Sequence, residues 1–176
     1  MKRLCLPLLA IACSSCAKDH EKPPADLNFI SVERKADLSL YIVRYKSNIN
    51  LLDLYARGMG EGIASAQFIC ALDGDHDFSV EHEIARSAYG RIQADTAQTN
   101  QPPPNFFTEA FLSETLDKGK SRRDLSIEEL NTLLANKKTI PCKALITAHG
   151  YKTYYSNTLQ LPVADLLREI NKPTAP

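Results

Sequence analysis

The longest regular pattern of apolar positions in the chain runs from Asn50 to Asp73. Leu51, Tyr55, Met59 and Ile63 recur every four residues, and Leu52 and Leu54 widen the stripe. That recurrence is the period of an amphipathic helix. A second stripe of small residues, Gly58, Gly62, Ala66 and Cys70, follows the same spacing. Gly58, Gly60 and Gly62 would each cost a helix about 1 kcal/mol relative to Ala. Close approach of another element to this side-chain-free face would offset that cost. Asp53, Arg57, Glu61 and Gln67 interrupt the remaining surface and exclude a membrane span. The pattern predicts one central helix with two buried faces.

Around it the expected elements follow from period and punctuation. Phe29–Val32 and Leu38–Tyr45 carry the β-branched and aromatic content of strands. Ser47-Asn48-Ile49-Asn50 reads as the cap of the central helix. A helix is predicted over Ser79–Ala97, with Val80, Ile84, Ala88 and Ile92 inward, and a proline-stiffened connector over Gln98–Asn105. Another is predicted over Phe106–Lys118, burying Phe107 and Phe111 and stopped by Gly119. Ser126-Ile127-Glu128-Glu129 is a capping box, with Leu125 stapled onto Leu130 and an inner face of Ile127, Leu130, Leu133 and Leu134. Ile140–Ala148 and Tyr151–Leu159 read as strands joined near His149-Gly150. Val163–Ile170, opened by Leu161-Pro162 and ended by Pro173, reads as the last helix. The order β-β-α-α-α-α-β-β-α predicts an α+β domain, several helices packed around the central Gly-striped helix and a small, mostly antiparallel sheet.

The N-terminus changes the picture. Met1-Lys2-Arg3 and the apolar run Leu4–Ala12 make a secretory signal too short to span a bilayer. A cysteine directly after small residues resembles the bacterial lipoprotein signal, in which that cysteine is acylated. The resemblance covers residues 1–16 and implies export and anchoring. Cys13, preceded by Ile11-Ala12, fits better at the two positions before it. Cys16, preceded by Ser14-Ser15, is the alternative, because choosing it leaves Cys70 and Cys142 as an even pair. Neither is followed by Asp, so the resemblance implies the inner leaflet of the outer membrane, facing the periplasm. The expected organisation is a signal over 1–15, a flexible tether over 16–27, one globular domain over 28–172 and a tail over 173–176.

Charge adds little to the functional reading. The chain has 21 basic and 21 acidic residues, and losing Lys2 and Arg3 leaves 19 against 21. That balance argues against a nucleic-acid binder. The densest cluster of candidate chemistry is Asp73 to Glu83. Asp73, Asp75 and Asp77 match the first three ligands of a calcium loop, but Phe78 replaces its glycine and Ile84 its last carboxylate. Arg86 replaces the second histidine of a zinc-protease helix begun by His82-Glu83. The acids are therefore expected to mark a helix N-terminus, with no metal, cofactor or catalytic residue assigned. Cys70 and Cys142 are expected to form a disulfide in an oxidising compartment.

Lys118, Lys120, Arg122 and Arg123 around Gly119, with Tyr151 and Tyr154, are the candidate partner surface. The resulting expectation is an envelope-tethered, non-enzymatic protein-binding lipoprotein, of the inhibitor or immunity, exclusion or secretion-accessory kind. An envelope enzyme, or a metal or small-ligand carrier using residues 73–83, is the alternative.

Overall fold

The computed structural model describes residues 17–35, 40–55, 62–95, 104–117 and 119–173. In chain order the elements are β1 (Leu27–Arg34), β2 (Leu40–Ser47), β3 (Ile63–Ala71), β4 (Arg86–Ala94), β5 (Asn105–Leu116) and β6 (Ser121–Asp124). They continue with α1 (Ile127–Leu134), β7 (Thr139–Ala148), β8 (Tyr154–Tyr155), β9 (Leu159–Pro162) and α2 (Val163–Ile170). The strands form one nine-stranded sheet in the order β1-β2-β5-β4-β3-β7-β8. Every pairing between strands is antiparallel. β6 pairs with β5 beyond the end of β2, and β9 pairs with β7 alongside β8. The sheet curls until β1 and β9, from opposite margins, touch.

The fold is therefore a mostly-β half-barrel with two helices among the described residues, not the α+β arrangement expected. Three predicted helices are strands. Ile63–Ala71 of the central stretch is β3, the 79–97 helix is a loop followed by β4, and the 106–118 helix is β5. Residues 51–55 form turns and bends, and residues 56–61 lie outside the described residues. The cause is arithmetic. A four-residue repeat lies on one face of a helix, but four is even, so it also lies on one face of a strand. Intervening positions decide between them. Phe68 lies between Ala66 and Cys70 on the buried face of β3, and Thr108 and Ala110 extend the buried face of β5 from Phe106. The Ser47–Asn50 motif caps only a turn, in which Asn50 Oδ1 accepts the Leu52 N–H at 3.1 Å.

Other expectations hold. α1 begins on the capping box, with the Ser126 side chain accepting the Glu129 N–H and the Glu129 carboxylate accepting the Ser126 N–H. α2 occupies Val163–Ile170, and Gly150 takes the positive φ of +76° that lets the chain turn after β7. The second C-terminal strand is broken into β8 and β9.

The concave face holds the core. Tyr45 of β2 stacks on Phe68 of β3 at 4.5 Å between ring centroids, although β5 and β4 separate these strands in the sheet. The rings can meet only because Ala88, Gly90 and Ala110 occupy the intervening strands. Tyr45 Oη lies 3.2 Å from Thr108 Oγ1, so its buried hydroxyl is satisfied. Leu130 and Leu134 of α1 and Leu166 and Ile170 of α2 close the same cluster. At Gly90 a Cβ would lie 2.1 Å from the Glu109 carbonyl oxygen. Glycine is thus required where the strand backbones crowd at the bend.

Cys70 and Cys142 face each other on β3 and β7, fully buried and joined by a disulfide. Residues 17–26, expected to be a tether, carry backbone hydrogen bonds. Lys18 N–H donates to the Gly150 carbonyl at 2.7 Å, and Asn157 N–H to that of Ala25 at 2.9 Å. Tyr154 Oη donates to the Pro23 carbonyl at 2.8 Å.

Two stability predictions follow from this packing. Gly90→Ala should lower the unfolding free energy by about 2 kcal/mol or more. Gly62→Ala, where a Cβ meets nothing within 4 Å, should change it by under about 0.5 kcal/mol. Equal urea midpoints for the two variants would show that crowding at Gly90 does not set the bend. Replacing Cys70 and Cys142 together by Ala should cost up to about 4 kcal/mol in the same assay. An unchanged midpoint would remove the bridge from the stabilising contacts.

Candidate partner-binding face

Both helices of the described residues pack on the concave side, so among those residues the convex face of the middle strands has no helical cover. Alternation puts Phe107, Glu109 and Phe111 of β5 outward, beside Tyr89, Arg91 and Gln93 of β4 and Ser65, Gln67 and Ile69 of β3. Tyr89 pairs across the strands with Phe111, their rings 6.1 Å apart. Phe111 keeps 43% of its surface exposed.

Two walls rise from this floor. One is the loop from Leu72 to Ala85, which folds back so that Lys143 Nζ lies 5.8 Å from the Phe78 ring. The other is the β5–β6 hairpin, whose Gly119 approaches Glu83 of the loop. Between them lies a groove of about 340 Å³, lined by Gln67, Ile69, Val80, His82, Tyr89 and Arg122 among others. A second hollow of about 300 Å³ shares Gln67 and Tyr89 and extends to Arg91, Gln93, Glu109 and Phe111.

The acidic segment builds the first wall. Asp73, Asp75 and Asp77 do not begin a helix, because none forms there. Each carboxylate instead accepts the backbone N–H two residues on, from Asp75, Asp77 and Ser79 at 3.2, 2.9 and 2.9 Å. These are successive Asx turns, the local geometry that makes Asp a turn residue. His82 Nε2 closes the loop on Asp75 Oδ2 at 2.6 Å. Among the described residues, no group of three or more His, Cys, Asp or Glu side chains is placed to hold a metal ion.

The second wall is fixed by charge. Arg123 reaches Glu114 at 2.6 Å and Glu129 at 2.7 Å, and Arg86 reaches Glu114 at 3.0 Å. The Arg123 guanidinium, then the Ser126 N–H, push the Glu129 carboxyl down to about 2. Arg123 and then Arg86 also lower that of Glu114. This network ties β6 to β5, β4 and the start of α1. Arg122, its neighbour in sequence, points to the opposite face and lies over the Tyr89 ring at 3.8 Å.

The surface expected from sequence is thereby divided. Arg122 lines the groove, Arg123 holds the hairpin, Lys120 is exposed, and Lys118 lies outside the described residues. Tyr154 is fully buried and so is not a surface residue. Tyr151 packs on Tyr55 at 5.0 Å, at the end of the molecule where Lys18 docks. Cys13 and Cys16 also lie outside the described residues. Tyr89, Arg91, Gln67 and Phe111 were missed as site residues. Their signal, alternation along β3, β4 and β5, was obscured by the four-residue repeats.

The hydrogen bond to Asp75 raises the His82 pKa above 6.5. Asp75 is lowered below 3.8 by the Asp77 N–H and then by His82. The His82 contribution is complete below about pH 6.5 and is lost as pH rises through its folded value; that of Asp75 is complete above 3.8 and lost as pH falls through its folded value. The loop is therefore fully fastened between the two. A proton NMR titration should place the His82 midpoint above 6.5, and Asp75→Asn should lower it. An unmoved midpoint in that variant would refute the contact.

Comparison with known protein families, curated proteins and solved structures finds no match to this chain.

Proposed function

We propose that this chain is a lipid-tethered, non-enzymatic protein-binding module of the bacterial envelope, facing the periplasm from the inner leaflet of the outer membrane. The observation that carries the reading is the open convex face. There the Tyr89–Phe111 ring pair lies beside arginines, with no helix above it among the described residues. Exposed aromatic groups beside arginine have the composition of protein interfaces. The segment at residues 1–16 supports export, and the buried Cys70–Cys142 bridge suits an oxidising compartment. The Asp73, Asp75 and Asp77 carboxylates are engaged by their own backbone, which favours a structural part for that loop over ligand carriage.

The docking of Lys18 onto Gly150 bears on the geometry of anchoring. Cys16 precedes Lys18 by two residues, at most about 7 Å of chain, and Cys13 by five, at most about 18 Å. Anchored through either cysteine, the domain holds the β7–β8 end close to the lipid.

Replacing Cys13 and Cys16 together by Ala should release the full-length protein from membranes or block its processing, and each single variant identifies the lipidated position. Normal processing and membrane partition of the double variant would sink the anchoring. A photo-crosslinking amino acid at Phe111, in cells, should trap a discrete protein adduct. One at Ile127, expected on the inner face of α1 but 46% exposed, should not. No adduct from position 111, or the same adduct from both positions, would overturn the protein-partner reading of this face.

A further inference from the structure

Most arginines among the described residues are spoken for. Arg44 reaches Glu33 and Asp95, Arg86 and Arg123 share Glu114, Arg168 reaches Asp165, and Arg34 donates to the Lys172 carbonyl. Arg122 and Arg91 differ: neither side chain makes an ion pair or hydrogen bond to another described residue. Arg122 is held instead by a ring. A guanidinium carbon 3.8 Å from the Tyr89 ring centroid is shielded from water on that side, while its N–H donors contact no other described residue. The hairpin beneath it is locked by the Arg123 network, so little freedom remains to be lost when a ligand binds.

The surroundings select the ligand. Glu109, the carboxylate of the second hollow, is already paired with Lys35 at 2.6 Å. Glu81 and Glu83 line the loop wall of the groove, and the Glu83 carboxylate reaches the hairpin turn at Gly119, so a negative ligand group is favoured away from that turn, at the Arg122 guanidinium over Tyr89. Arg91 follows Tyr89 by two residues on the same face of β4, about 7 Å along the strand. That is the spacing of alternate side chains in an extended peptide. Exposed Phe111, beside Tyr89 in the register, offers an apolar contact next to the cations.

We propose that the groove binds an extended acidic segment of the partner protein. Carboxylates at alternate positions meet Arg122 and Arg91, and an apolar residue beside them meets Phe111. Resting on the protein-binding reading above, this assigns its chemistry. Arg122 donates to the first carboxylate as a planar fork, a role that lysine cannot fill.

The test uses the full chain in detergent and two acetylated, amidated peptides, Ser-Leu-Ser-Glu-Ser-Glu-Ser and its counterpart with Gln for both Glu. The Arg122 Nε–H and Tyr89 amide resonances should shift saturably with the Glu peptide and not with the Gln peptide. Arg122→Lys, exposed and outside the core, should weaken the Glu peptide by about tenfold while keeping the charge. Equal response to both peptides, no response at millimolar peptide, or unchanged binding by Arg122→Lys overturns the proposal. The position-111 crosslink separates the two readings. An adduct that persists at full yield with Arg122→Lys and Arg91→Gln combined refutes carboxylate recognition but leaves a protein partner. Peptide binding without any adduct in cells supports the carboxylate site and refutes the partner reading.

Discussion

Crowding of the β4 and β5 backbones at Gly90 is the constraint on which the rest of the molecule depends. A flat sheet would keep Tyr45 and Phe68 apart, because two strands intervene. The curl brings the rings to 4.5 Å and needs a strand position with no side chain where the Glu109 carbonyl comes close. Ala66, Ala88, Ala110 and Ala144 line the same concave face. Their small volumes leave room for the large groups of β1, β2 and the two helices to fill the interior. Small residues at the bend and large ones facing it are thus two halves of one packing solution.

That solution fixes where function can reside. A half-barrel has an inside, which both helices help to close, and an outside, which among the described residues carries only the 72–85 loop and the β5–β6 hairpin. What shapes the outside is polar: the Asx turns of Asp73–Ser79, the His82–Asp75 contact and the Arg123 network. These contacts are solvent-exposed and individually weak. Their effect is positional, since they hold two walls above a floor that the core has already made rigid. Adjacent residues on β6 divide the labour, because successive side chains point to opposite faces of a strand. Arg123 faces α1 and stabilises, while Arg122 faces outward with donors to spare.

The parts of the fold legible in the sequence are those whose signals have one reading. The capping box at Ser126–Glu129 fixes a helix start through specific hydrogen bonds, and α1 begins there. The buried pair Cys70 and Cys142 had one simple chemistry in an oxidising compartment, and the bridge is present. The illegible parts carry signals with two readings. Ala66 and Cys70, Ala88 and Ile92, and Phe107 and Phe111 each sit four apart, which suits a helix face and a strand face alike. A strand buried on one face and half-covered on the other also loses clean alternation, as in β5, where Phe106 and Phe107 are both aromatic. The site was lost with the strands, since Tyr89, Arg91 and Phe111 become neighbours only through the β4–β5 register. Arg122 was found by its charge; its separation from Arg123 was not legible, because β6 is exposed along its length and too short to show a pattern.

A half-barrel also leaves two open margins, which are the usual route to unwanted strand pairing. Here the chain itself engages part of each. At β1, the backbone N–H of Arg34 donates to the Glu169 carboxylate of α2 at 3.0 Å, and Lys172 neutralises that buried acid at 2.7 Å. Burial opposes the charge of Glu169, but these two donors prevail and hold its carboxyl below its ordinary range. At β7, the short strands β8 and β9 share the margin, and the segment before β1 docks alongside them through Lys18 and Ala25. The Ser156 hydroxyl accepts the Ala144 N–H at 2.9 Å where regular pairing lapses. The proposed recognition uses neither margin but side chains across the convex face, where the Tyr89–Phe111 rings and the Arg122 guanidinium stand outward.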